Sequence, residues 1–184
     1  EFGVTAEKVT LDFGVAMKRS RAVSAQNSKG VEFLFKKNKI TWLKGTGALG
    51  AGKTVKVTGA DGKVETHTAT KAVVIATGSR VKGLPQIGLE LNKTTIISSD
   101  EALTLEKAPA TMAIIGAGAV GCEFADVFNA FGSKVTLLEV MPRLLPIEDE
   151  DCSVELGKAF KKRGIDVITG AKLGTVKTTK TGVT

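Results

Sequence analysis

The longest periodic stretch lies near the start of the chain. Asp12 suits a helix cap, and the apolar positions Val15, Ala16, Val23, Leu34 and Phe35 behind it predict a helix reaching about residue 38. Gly30 is a weak point inside that helix and predicts a bend. Residues 40–44 then read as a short strand. Over 54–69 the pattern alternates through Val55, Val57 and Val64, and Asp61-Gly62 supplies a hairpin turn. The unbroken run Ala72-Val73-Val74-Ile75-Ala76 predicts a strand over 71–76 that is covered on both faces. A loop with Pro85 and Gly88 follows, then a short helix over about 100–105, and Pro109 marks a boundary.

Beyond that proline the pattern changes to strands alternating with helices. Strands are expected at 111–115, 134–138 and 165–168, and helices at 118–131 and about 149–163, the second stopped by Gly164. Residues 172–183 look like the start of a hairpin. Such alternation implies a parallel sheet. The expected fold is therefore α/β, with a Rossmann-like three-layer dinucleotide-binding domain over 110–184. Residues 1–109 are expected to form part of an earlier domain that contains a β-meander.

The glycines sharpen this picture. Gly116-Ala117-Gly118-Ala119-Val120-Gly121 matches G-x-G-x-x-G directly after the apolar strand Met112-Ala113-Ile114-Ile115 and opens an amphipathic helix. In such a unit the first glycine permits the tight turn and the second lets backbone approach a pyrophosphate. The third allows the helix to pack on the strand, and the helix N-terminus offers free N–H groups to the phosphates. The bland alternative is a glycine-rich turn without a ligand. Glu139 ends the next strand, eighteen residues after Gly121. An acid there accepts ribose hydroxyls and repels a 2′-phosphate, which favours NAD. Arg143 supports the rival reading, NADP, because a guanidinium at that place is able to meet a 2′-phosphate.

A second match misleads. Residues 47–54, Gly-Ala-Leu-Gly-Ala-Gly-Lys-Thr, fit the phosphate loop of nucleoside triphosphatases. That loop must open a helix, but Val55-Lys56-Val57-Thr58-Gly59 alternates into a turn, so a β-hairpin is expected.

Composition changes little. The chain has 184 residues, 42% hydrophobic and 24% charged, as in ordinary globular proteins. Its 21 glycines exceed the usual share of roughly 7%. The net charge of +7 comes from scattered lysines, the densest groups being Lys36, Lys37 and Lys39, and Lys158, Lys161, Lys162 and Arg163. These fall near predicted helix ends, where cations complement the helix dipole. With one Trp and no Tyr there is no stacking platform for bases, so no nucleic-acid partner is expected. No apolar run approaches the roughly 20 residues of a membrane span. Cys122 and Cys152 stand too far apart for a C-x-x-C pair, which makes a reducing compartment the default. The chain starts without methionine and stops at Thr184 inside an alternating pattern, so an internal piece of a longer protein is expected.

Along nearly its whole length the chain resembles the FAD-dependent pyridine nucleotide disulfide oxidoreductases, within them the branch that oxidises dihydrolipoamide with NAD+. The likeness rests on residues 30–40, on Lys44-Gly45-Thr46-Gly47, on Val73-Val74-Ile75-Ala76-Thr77-Gly78-Ser79, on 114–123 with Glu139, and on Arg143-Leu144-Leu145-Pro146. It implies FAD and NAD as cofactors. Residues 1–109 would be the later part of an FAD-binding domain, and 110–184 the early part of an NAD-binding domain. Gly47 would lie against the FAD adenosine, and Thr77, Gly78 and Ser79 would approach the flavin cofactor. Gly116, Ala117, Gly118, Ala119, Val120, Gly121, Cys122 and Glu123 would hold NAD, with Glu139 on the ribose. In relatives a glutamate matching Glu123 sits beside the nicotinamide. From the residues alone, Glu123 is a first-turn carboxylate favoured by the helix dipole, and Cys122 is packing.

The family's reaction runs from dihydrolipoamide through an enzyme disulfide and the flavin to NAD+. Its partners would be a lipoamide-bearing 2-oxo acid dehydrogenase complex and a second copy of the subunit. Its setting would be the cytoplasm, or the mitochondrial matrix in a eukaryote. Departures are equally plain. The flavin-binding glycine motif, the redox cysteine pair and the His-Glu pair are not in this sequence, and His67, the only histidine, falls in the predicted hairpin as a surface residue. No catalytic residue and no metal ligand is therefore assigned within the chain. Two rivals stay open: another flavin disulfide reductase of the mercuric or glutathione reductase kind, and a nucleotide-binding module without catalysis.

Overall fold

The computed structural model describes residues 3, 6–179 and 182–184. Helix α1 spans Phe13–Lys37, and the Asp12 carboxylate caps it by accepting from the Val15 N–H at 2.9 Å. The helix runs unbroken through Gly30. That glycine is solvent-exposed with nothing within 4 Å, so it weakens the helix without any neighbour to bend it. The described residues form two units, one of Ala22–Arg80 and one of residues up to Arg21 together with Val81–Thr184.

In the first of these, β1 (Thr46–Leu49), β2 (Thr54–Thr58) and β3 (Val64–Thr68) make an antiparallel meander. Gly62 takes φ +80° in the β2–β3 turn, where the Asp61 carboxylate accepts from the Lys63 N–H. The triphosphatase-like segment is the β1–β2 hairpin, closed by the Gly50 N–H on the Thr54 carbonyl at 2.9 Å. A strand follows Lys53, so no helix N-terminus is present to hold phosphates.

Two predicted strands are absent. Residues 40–44 are not in a ladder; Trp42 instead packs edge-on against Phe35, with the Lys44 ammonium over its ring. Residues 71–76 are likewise unpaired, leaving Val74 83% and Ile75 69% exposed. A strand needs a neighbour for its N–H and C=O groups, and among the described residues neither stretch has one.

The other unit holds a parallel sheet in the order β4 (Thr111–Ile115), β5 (Lys134–Leu138), β6 (Asp166–Ile168). Before it comes the short helix α2, Ser99–Ala102, closed by a capping box between Ser98 and Glu101. The crossovers of the sheet are α3 (Ala119–Ala130) and α4 (Glu150–Arg163). Successive right-handed crossovers in one direction put both helices on one face of the sheet. There Val135 and Leu137 are fully buried, in one core with Phe128, Phe160 and Ile165. Phe13 joins this core, 5.5 Å from Phe128 and 5.2 Å from Phe131 between ring centroids. Asp149 caps α4, Lys161, Lys162 and Arg163 fill its last turn, and Gly164 ends it at φ +78°. Of the expected hairpin at 172–183 the structure shows the antiparallel Thr178–Val183 bridge, and residues 180 and 181 lie outside the described residues. No described helix is long and apolar enough to cross a membrane.

Candidate dinucleotide site

Strand β4 ends at Ile115 and the chain turns at once. Gly116 takes φ +100°, a conformation side chains resist, while its N–H donates to the Leu138 carbonyl at 2.8 Å. Gly118 is the extended N-cap of α3, and a Cβ there would meet nothing within 4 Å. The space before the helix N-terminus is therefore open, and Ala119 and Val120 expose the first turn, whose N–H groups have no intrahelical acceptor. A Cβ at Gly121 would collide with the Gly116 carbonyl oxygen. Each glycine thus meets a different demand: the turn, the open approach, and helix-on-strand contact. An open cradle of free N–H groups at a positive helix end fits a pyrophosphate.

The peptide between the first two glycines is held from several sides. Ala117 is fully buried, and its N–H donates to Oε2 of Glu139 at 2.7 Å. Its carbonyl accepts from the Leu145 N–H at 2.8 Å and from the Cys122 thiol at 3.4 Å. Glu139 is itself 6% exposed, and its Oε1 accepts from the Met141 N–H at 2.8 Å. Both carboxylate oxygens are occupied by backbone donors, yet each retains a lone pair for a hydroxyl. Burial, reinforced by the charges of Glu139 and then Glu123, pushes the Cys122 thiol up to about 11. The thiol therefore stays protonated and able to donate. Glu123, expected in the first turn of α3, lies just beyond it and is exposed.

Arg143 is half-buried, with one guanidinium nitrogen turned onto its own loop. Its Nη2 donates to the carbonyls of Pro146 at 3.2 Å and Glu148 at 3.0 Å, closing its own loop. Leu145 within that loop has φ +45°, and Leu144 is buried with its carbonyl bonded by the Ser153 hydroxyl. The glycine turn also borders a cavity of about 1490 Å³, lined in part by Thr136, Leu138 and Phe124.

The structure thus brings Glu139, Cys122 and Leu145 onto the backbone of Ala117, within the turn of residues 116–121 that opens α3. The flavin-side candidates belong to the unit of Ala22–Arg80. Gly47 stands in β1 opposite Val57, and Thr77, Gly78 and Ser79 form an exposed stretch in which Gly78 has φ +73° and open space at its Cβ position. A small-residue turn of that kind leaves its backbone free to meet a ligand. His67 is at the surface, 3.2 Å from Glu65. Sequence reasoning missed Leu145, whose N–H completes the hold on Ala117. A positive φ at a leucine before proline leaves no sequence signal, since the leucine's own side chain and the following proline both argue against it.

The model of the pyridine nucleotide-disulphide oxidoreductases matches residues 3–184. Dihydrolipoyl dehydrogenase of Chlorobaculum parvum is 43% identical over 183 residues, covering 100% of this chain and 38% of the relative. That of Bacillus subtilis is 38% identical, covering 98% and 39%. Among solved structures, LpdA from Mycobacterium tuberculosis superposes with a TM-score of 0.84 at 24% identity, over 96% of this chain and 39% of its own. The flavoprotein disulfide reductase RclA from Escherichia coli does so at 0.75 and 25%, over 94% and 38%. The chain spans about 38% of the length of the first of these relatives. With its glycine turn, acidic strand end and full-length match to that model, the chain belongs to the pyridine nucleotide-disulphide oxidoreductase family.

Proposed function

We propose that this chain is the part of a dihydrolipoyl dehydrogenase that forms the NAD platform and one flank of the FAD site. The observation behind the reading is the buried Glu139 carboxylate, fixed 2.7 Å from the Ala117 N–H beside an open helix N-terminus. In this reading Gly116, Ala117, Gly118, Ala119, Val120, Gly121, Cys122 and Glu123 hold the dinucleotide, and Glu139 accepts the adenosine ribose hydroxyls. Gly47, Thr77, Gly78 and Ser79 present backbone to FAD. Residues 1–109 then belong to the FAD-binding domain and 110–184 to the NAD-binding domain. The bound cofactors supply hydride transfer from flavin to NAD+, while this chain's residues bind, orient and exclude water. The whole enzyme oxidises dihydrolipoamide to lipoamide as a homodimer serving a lipoamide-bearing 2-oxo acid dehydrogenase complex. Its place is the cytoplasm, or the mitochondrial matrix in a eukaryote.

The test is a titration of the 184-residue chain with NADH and NADPH, followed by nucleotide fluorescence. NADH is expected to bind at least about tenfold tighter, because a fixed buried carboxylate rejects a 2′-phosphate. Preference for NADPH would transfer the chain to an NADP-linked branch of the family.

A further inference from the structure

Arg143 is the cation that the sequence offers to a 2′-phosphate, yet its Nη2 is turned back onto the carbonyls of Pro146 and Glu148. Those two bonds close a loop that contains a strained residue. Leu145 has φ +45° and precedes Pro146, two conditions that each disfavour the conformation it holds. The strain has a use: in that conformation the Leu145 N–H donates to the Ala117 carbonyl at 2.8 Å. The loop is also tied down by the Glu148 N–H on the Leu145 carbonyl at 2.9 Å and by Ser153 on the Leu144 carbonyl. On its other side the Ala117 peptide donates to Glu139. A continuous path of bonds therefore runs from the Arg143 guanidinium, through Leu145 and Ala117, to the carboxylate at the ribose position.

We infer that Arg143 is a positioning residue for the dinucleotide and not a reader of its 2′-phosphate. It closes the 143–148 loop, holds Leu145 in its strained conformation, and so braces the Ala117 peptide in the shape that receives the pyrophosphate. This rests on the nicotinamide dinucleotide reading above. A brace and a phosphate reader have opposite signatures: the brace supports any dinucleotide equally, whereas the reader supports only the 2′-phosphorylated one.

The experiment measures Kd for NADH and NADPH in the unchanged 184-residue chain and in Arg143→Ala, Leu145→Gly and the double variant. Arg143→Ala is expected to weaken both dinucleotides by the same factor, about tenfold, through loss of two bonds from a charged donor. Glycine adopts φ +45° freely, so Leu145→Gly added to Arg143→Ala should restore binding to within about threefold of the unchanged chain. A general loss of fold would not be rescued this way. Arg143→Lys, which keeps a cationic donor for one carbonyl, should fall between and answers the question if the alanine variant melts. Selective loss of NADPH, no change in either Kd, or failure of glycine to rescue would each overturn the inference while leaving the dinucleotide site standing. Failure of the unchanged chain to bind either nucleotide would remove the site and the inference together.

Discussion

The Ala117 N–H points at Oε2 of Glu139 from 2.7 Å, across 22 positions of sequence. The bond ties the turn after β4 to the end of β5, so the residue expected to read the ribose also holds the loop expected to receive the phosphates. Substituting Glu139 therefore has two separable effects. Glu139→Gln keeps one acceptor for Ala117 and should retain the fold, while NADH binding weakens by about tenfold and discrimination against NADPH shrinks. Glu139→Ala leaves the Ala117 and Met141 N–H groups without that acceptor and should also cost about 1–3 kcal/mol of stability. Parallel titrations and urea melts of the two variants separate charge reading from loop support.

Alanine scanning of the glycine turn should split stability from binding. At Gly118 a Cβ has open space, so Gly118→Ala should melt like the unchanged chain yet lose NADH where the pyrophosphate must approach. At Gly121 the same methyl collides with the Gly116 carbonyl, forcing α3 off β4 at a cost of about 1–3 kcal/mol. Equal melting of the two variants would contradict this division.

The two thiols should behave differently. Cys152 is exposed and Cys122 buried, so a thiol reagent at pH 8 is expected to modify Cys152 first and Cys122 only on unfolding. The buried thiol also adds an alkaline limb to stability. Its folded pKa is raised from 9.0 to about 11, so above pH 9 the unfolded chain binds fewer protons than the folded one. Stability from this group is fully present below pH 9 and is lost as pH rises through 11. Urea midpoints from pH 8 to 11 should fall less steeply in Cys122→Ala than in the unchanged chain.

Phe128 fixes where α3 rests. It is 1% exposed, with its ring 5.5 Å from Phe13 and 6.0 Å from Phe124. Phe128→Ala should cost about 3–5 kcal/mol, measurable by chemical denaturation.

Much of this is legible in the sequence. Asp12 and Gly164 announce helix ends because caps act within one turn of chain. The glycine turn was legible for a similar reason: strand, turn and helix start are contiguous, and each glycine answers a local demand. Residues 40–44 and 71–76 show the opposite. Their apolar content announces a strand, but a strand exists only beside a partner, and the local pattern does not say whether one is present.

The sequence by itself determined the elements around the dinucleotide turn, their order, and the acidic residue that closes β5, since all depend on short-range stereochemistry and hydrophobic period. Only the tertiary structure decided what those residues do to one another. It turned Arg143 from a ready phosphate ligand into the closure of its own loop, put Leu145 at a positive φ, and spent both Glu139 oxygens on backbone donors. Each of these depends on the direction of a particular donor relative to an acceptor elsewhere in the chain, and that direction is set by packing.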